Sequence, residues 1–352
     1  MIKILHAADL HLDSPLGDVP ELRSHLRSLP GKLLDICRRE ACDLVLLAGD
    51  LFDGPWTRET LEELTGALEE MGVPVFIAPG NHDFCDSRSP YLTQSWPENV
   101  HIFTESTITN LELPALDAVV YGAGFRGMDC PSLLEGFRAD SPARYAIGLI
   151  HGDPSQANSP YNPITAAQVR DSGLDYLALG HIHKGGDFWA GKTLCAWPGC
   201  PQGRGFDELG PKGVLIVTLD DAAESRFVAL DGPQFHDLQV DVGEDPTAAV
   251  AALLPAAGNG DYYRITLTGE SAGLDIPALT AQFSQFPHLE LRDKTTAPVD
   301  LWEHAGEDSL EGAFFGLLRQ ELEGADDTYR HRVLLAAKLA RKILDGQEVV
   351  LP

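Results

Sequence analysis

Positive charge is scarce in this chain. Its 352 residues carry 26 Lys and Arg against 53 Asp and Glu, a net charge of −27. Such a balance favours solubility, but the chain as a whole is no electrostatic trap for a polyanion. A nucleic-acid site must then be a local basic face, or be supplied partly by metals or a partner. Long apolar runs are also lacking. None approaches the roughly 18 residues of a membrane span. The opening "MIKILHAADLHLDS" has no basic segment leading into a long apolar one. The expectation is a soluble, cytoplasmic protein that engages no membrane. The 6 cysteines (Cys37, Cys42, Cys85, Cys130, Cys195 and Cys200) include no C-x-x-C pair. That argues against a zinc knuckle or a disulfide framework and points to reduced thiols. Cys195 and Cys200 read as structural rather than as a metal pair. Internal repeats and low-complexity tracts are absent too.

What is present suits a globular protein of about two domains. Apolar residues make up 44% of the chain, enough for a sizeable core. Short apolar runs recur at 2–5, 43–49, 73–80, 118–124, 145–150, 176–180, 193–197, 213–219 and 226–230. They are strand-length with little alternation, as expected for strands covered on both faces. Helix-like stretches lie between several of them, at 22–40, 57–72, 131–137 and 164–173. Thr57 can cap the second of these, and Gly72 can end it. Alternating strands and helices predict an α/β layered core over residues 1–231. Strand-like 235–242, 262–269 and 288–294 surround helical stretches at 247–257 and 276–286, which predicts a small α+β domain over 232–305. Residues 306–352 hold two helical patterns, "LEGAFFGLLRQELEG" with an apolar stripe and the basic "YRHRVLLAAKLARKIL".

Five apolar runs end directly on polar groups. "IKILHAADLH" delivers Asp9 and His11, and "LVLLAGDLFD" delivers Asp50 and Asp53. "VFIAPGNHD" delivers Asn81, His82 and Asp83. "AIGLIHGD" delivers His151, and "LALGHIH" delivers His181 and His183. Ligands of α/β sheets bind beyond the carboxyl ends of the strands, so five loops can converge on one rim. Singly, each pair is common in turns. Their order at successive strand ends is what carries information. Asp, Asn and His together suit Mn, Fe, Co or Zn better than an all-oxygen Mg or Ca site. The donors exceed the needs of one ion, and two metals sharing a carboxylate is the economical arrangement. Metals about 3.5–4 Å apart can activate a water and hold a phosphoryl group. Gly49, Gly80 and Gly180 precede donors and allow the backbone to turn sharply.

The series D-x-H, G-D, G-N-H-D, H and G-H-x-H, intact within residues 9–183, resembles the calcineurin-like metallophosphoesterases. "HAADLHLDSP", "GDLFD" and "WPGCPQGRGFDELGPKG" look more specifically like the SbcD-type DNA repair exonucleases. The resemblance implies a layered β-sandwich flanked by helices, with a smaller C-terminal α+β cap. It implies one metal on Asp9, His11, Asp50 and His183, and another on Asp50, Asn81, His151 and His181, bridged by Asp50. His82 would face the scissile phosphate and assist the leaving oxygen. Asp83 would orient His82. Asp53 reads as a weaker supporting residue, or simply as an acid near a helix start. The implied activity is a two-metal DNA exonuclease and endonuclease acting in DNA repair. The implied ions are manganese first, with iron, zinc or cobalt as alternatives. The implied partners are DNA and an SbcC-like coiled-coil ATPase docked on the C-terminal helices, with a homodimer among the assemblies it allows.

Beside these, Arg126, Lys184 and Arg204 are candidates for phosphate contact, each with ion pairing as its plainer reading. Trp96, Trp189 and Trp197 could stack bases or simply be buried. Two rival functions stay open: a phosphoesterase for a nucleotide or other small phosphodiester, and a non-catalytic binding or scaffold subunit on the same fold.

Overall fold

In the computed structural model, residues 1–15, 19–298 and 300–346 are described. The chain begins with β1 (Ile2–Ala7), α1 (Pro20–Arg27), α2 (Leu29–Glu40), β2 (Leu44–Leu47), α3 (Arg58–Met71), β3 (Val75–Ile77), α4 (Pro90–Thr93) and β4 (Val100–Ile102). It continues through β5 (Thr109–Leu113), β6 (Ala118–Gly122), β7 (Tyr145–His151), α5 (Ala166–Asp171), β8 (Tyr176–Gly180), β9 (Lys184–Ala190), β10 (Thr193–Gly199), β11 (Gly213–Leu219) and β12 (Ala223–Ala229). These strands form two six-stranded sheets, ordered β12-β11-β1-β2-β3-β4 and β5-β6-β7-β8-β10-β9.

Side chains alternate across a strand, and here both faces are apolar. Ile4, Leu44, Leu46 and Phe76 of the first sheet meet Val120, Ile147, Leu149 and Ala178 of the second in one buried layer. The intervening Leu5, Val45, Leu47 and Ile77 face outward onto Leu33, Ile36, Leu64 and Leu68 of α2 and α3. On the far side, Val119, Ile150, Leu177 and Leu179 pack against Val169 of α5. Double coverage explains why these strands read as continuous apolar runs.

Three local differences from the sequence reading have physical causes. The stretch 22–40 is two helices parted at Ser28, because Pro30 enters at the start of α2 and has no N–H to donate backward. Residues 131–137 form turns rather than a helix, and Gly136 closes them at φ +71°. The strands β4, β5 and β9 had no clear apolar signature. Each is the edge strand of its sheet, where partial exposure breaks the hydrophobic run. At α3, the Thr57 side chain accepts from Thr60 N, and Gly72 ends the helix at φ +66°.

The remaining elements are β13 (Phe235–Asp241), α6 (Pro246–Ala251), β14 (Tyr262–Thr268), α7 (Ile276–Ala281), β15 (His288–Asp293), α8 (Leu310–Glu321) and α9 (Asp327–Leu344). The three strands pair in the order β13-β14-β15. The chain forms two compact units. The first is Met1–Asp237 with Gly258–Arg264 and Gln285–Leu289, and the second holds 238–257, 265–284 and the residues from 290 onward. Within the second unit, Leu301, Phe315 and Ala337 are buried together between α8 and α9. Leu310, Phe314 and Leu317 of α8 are exposed. The last residues of the segment read as 306–352, from 347 onward, lie outside the described residues. No helix among the described residues is long and apolar enough to cross a membrane.

Candidate metal centre

The loops after β1, β2, β3, β7 and β8 meet at the carboxyl ends of the central strands. Backbone bonds from Asp9 N to Gly49 O (3.0 Å) and from His11 N to Asp50 O (2.9 Å) tie the first two loops together. Asp9, His11, Asp50 and His181 all have positive φ, at 53°, 46°, 51° and 100°. Non-glycine residues rarely adopt this region, and its clustering at donor positions marks a functional constraint. Glycine contributes mainly by close approach. A Cβ at Gly80 would collide with Asp50 Oδ1, and one at Gly49 with the His151 ring.

Two donor groups result. In the first, His11 Nε2 and His183 Nε2 are 3.1 Å apart beside the Asp9 carboxylate. In the second, Asn81 Oδ1 lies 3.0 Å from His151 Nε2 and 3.1 Å from His181 Nδ1. Asp50 Oδ2 is 3.4 Å from the same His151 nitrogen. Asp9 reaches both groups, since its carboxylate also clusters with Asp50 and His151. His181 and His183 therefore fall in different groups, and the bend at His181 makes this geometrically consistent despite their i, i+2 spacing.

The buried partners fix the tautomers. His151 Nδ1 donates to Ala48 O at 2.9 Å, and His183 Nδ1 donates to Glu208 Oε1 at 2.6 Å. Both rings then turn Nε2 inward, beside the Asn81 amide oxygen and carboxylate oxygens. Imidazole nitrogens, an amide oxygen and carboxylate oxygens converging in a buried space make a donor set that fits divalent metal. Burial pushes the pKa of His11 down to about 3 and that of His181 to about 4, which keeps both imidazoles in the neutral, ligating form. Burial also raises Asp9. For Asp50, burial acts upward but His151, with help from His11 and His82, outweighs it and holds the carboxyl below its ordinary range.

His82 stands at the rim with its side chain 45% exposed. Its backbone N–H donates to Asp50 Oδ1 at 2.9 Å. Its Nδ1 lies 2.9 Å from Asp53 Oδ1, and this bond raises the His82 pKa. The other Asp53 oxygen accepts from Ser14 Oγ at 2.8 Å and from Arg204 Nη1 at 3.2 Å. The expectation that Asp83 orients His82 is thus corrected. Asp83 is buried and turned away, accepting from Gly80 N (2.7 Å), Leu51 N (2.7 Å) and Tyr91 Oη (2.5 Å). It braces the loops of Asp50 and Asn81, while Asp53 holds His82.

Of the three candidate phosphate contacts, only Arg204 joins the centre. Its guanidinium pairs with Glu208 and Asp53. The Arg126 side chain instead reaches Thr104 O and Glu105. Lys184 is exposed at the start of edge strand β9 and lines a groove with His183, Trp197 and Phe227. Trp96 packs against the outer core, Trp197 is partly buried and Trp189 is exposed. Glu208 was not foreseen as a site residue. It is buried, and although burial alone would raise its pKa, His183 and Arg204 together lower it. A partner 25 residues from the histidine that it supports leaves no local motif to find.

Residues 2–185 match the model of the calcineurin-like phosphoesterase family, which is more than half of the chain. The chain belongs to the calcineurin-like phosphoesterases. These are metal-dependent hydrolases of phosphate esters, in keeping with the donor groups above. YhaO of Bacillus subtilis, an uncharacterized metallophosphoesterase, is 33% identical over 237 residues, covering 61% of this chain and 57% of that protein. The DNA double-strand break repair protein Mre11 of Aeropyrum pernix is 26% identical over 277 residues, covering 69% of this chain and 64% of that one. The SbcD component of the SbcCD nuclease of Bacillus subtilis is 26% identical over 269 residues, covering 64% and 68%. The chain thus spans less than two thirds of the length of the first two relatives.

Proposed function

We propose that this phosphoesterase is a two-metal phosphodiesterase that cleaves DNA in repair, in the manner of an SbcD nuclease. The supporting observation is the pair of buried His, Asp and Asn groups flanked by a hydrogen-bonded His82–Asp53 pair. One relative named as a DNA double-strand break repair protein and one named as a nuclease subunit support it. In this reading Asp9, His11, Asp50 and His183 hold one cation, and Asp50, Asn81, His151 and His181 hold the other. Bound divalent metals, manganese first, supply an activated water and neutralise charge on the phosphoryl oxygens. Glu208 fixes the His183 ring, and Ala48 O fixes the His151 ring. Asp53 accepts from His82 Nδ1–H and favours the imidazolium form, in which Nε2–H would give its proton to the departing sugar oxygen.

Residues 1–231 would then carry the chemistry, 232–305 would form a cap that restricts which DNA is admitted, and 306–352 would dock a coiled-coil ATPase. The exposed Leu310, Phe314 and Leu317 supply an apolar face for such a helix partner. A small phosphodiester is the second reading, favoured by the pairing of Arg126 and Arg204 with acids, which leaves them less available to a DNA backbone. Purified protein with Mn should be assayed on labelled duplex and single-stranded DNA beside bis-p-nitrophenyl phosphate. Cleavage of DNA supports the nuclease reading. Hydrolysis of the small diester alone supports the second.

A further inference from the structure

The residue that stands ready for the leaving oxygen also lines a cavity. Phe52, Pro55, Trp56, His82, Phe84 and Pro90 surround a space of about 420 Å³ in the first unit. That volume lies within the usual range of about 300–1,000 Å³ for ligand sites. Trp56 packs on one side against the outer core and stays partly open; Phe84 is also partly open. Arg88 and Asp86, paired with each other at 3.2 Å, also line it.

The bonding of His82 gives this cavity a direction. Nδ1 is held by Asp53, so a leaving oxygen must meet Nε2. In the phosphodiesterase reading the group carried by the leaving oxygen lies beside His82, and the cavity that His82 lines adjoins that position. Its walls combine aromatic and proline faces with the Arg88–Asp86 pair, whose charges offset each other. They suit a flat heterocycle better than a second phosphate.

Resting on the phosphodiesterase reading above, we infer that this cavity is a base subsite: it takes the nucleobase of the leaving nucleotide against Trp56 and Phe84. The substrate class is a phosphodiester whose departing group is a nucleoside. Stacking on an aromatic face tolerates any base, so the subsite would favour nucleic acid over other diesters without reading sequence.

The test compares two dinucleotide diesters with Mn, one carrying thymine on the leaving nucleoside and one with an abasic tetrahydrofuran there. The expected ratio of their kcat/KM values is about ten or more in the natural protein, the size that one stacking contact confers. It should fall toward one in W56A and in F84A, and be kept in W56F. A ratio near one in the natural protein overturns the subsite. So does a ratio unchanged in both alanine variants while the two rates drop together, since that is loss of packing alone. If neither diester is cleaved, the phosphodiesterase reading fails, and the cavity is judged by binding. A thymidine-dependent change in tryptophan fluorescence, lost in W56F and not produced by deoxyribose, supports it. No such change overturns it.

Discussion

Asp53 Oδ1 and His82 Nδ1 lie 2.9 Å apart, and the far oxygen of Asp53 is held by Ser14 and Arg204. An acid held at both oxygens fixes the histidine that it touches. This relationship, rather than one with Asp83, engages Nδ1 of His82 and leaves Nε2 as the ring nitrogen that Asp53 does not hold.

It follows that His82→Ala should keep its metals and lose cleavage, by about 10²–10⁴-fold in kcat. Asp53→Asn should retain metal as well and lose less, because the histidine remains but is no longer held. Metal content by elemental analysis and turnover of a phosphodiester check both. Near-normal turnover of the alanine variant with its metals in place removes His82 from the chemistry.

Much of this was legible in the sequence, and the part that was not has a clear cause. Asp9, His11, Asp50, Asn81, His151, His181 and His183 sit at strand ends within short motifs, so local spacing revealed them, and the structure brings their side chains together. Which acid contacts His82 was not legible. Asp83 is its neighbour in sequence, but the turn sends that carboxylate into the interior toward Tyr91. Glu208 reaches the centre from far along the chain, and tertiary pairing leaves no periodic trace. Covered strands were readable as apolar runs, whereas the edge strands β4, β5 and β9 were not.

Glu208→Gln should weaken one metal and spare the other. It removes the carboxylate that orients His183, a change that typically costs about 10–100-fold in metal affinity. Titration with Mn followed by electron paramagnetic resonance should show one site weakened by that order. Equal loss at both sites would mean that Glu208 supports the fold rather than one donor group.

Gly80→Ala should damage the centre without touching a donor atom. The added methyl would collide with Asp50 Oδ1, so Asp50 or the loop must move. Metal binding to the folded state alone adds about 2.7 kcal/mol when the free ion is at 100 times Kd. The natural protein should therefore show a rise in Tm with Mn, reversed by a chelator. The variant should lose most of that rise, as followed by thermal unfolding with and without Mn. A full metal-dependent rise in G80A would show that the cradle is looser than its contacts indicate.

The apolar face of α8 gives a separate prediction. Replacing Phe314 and Leu317 with Glu should abolish capture of a coiled-coil ATPase partner. Hydrolysis of a small phosphodiester should persist, since both side chains are exposed in the second unit and the donor groups lie in the first. Pull-down and diester assays on the same preparation separate the two effects. Retained binding by the double variant would place the partner elsewhere.

The central claim is that the converging loops form a two-metal centre. It is tested most directly by anomalous scattering from crystals of the intact protein grown in saturating Mn. Two peaks about 3.5–4 Å apart are predicted. One should lie among Asp9, His11 and His183, the other among Asn81, His151 and His181, with Asp50 between them. A single fully occupied peak, with Asn81 and His151 uncoordinated, would contradict the account.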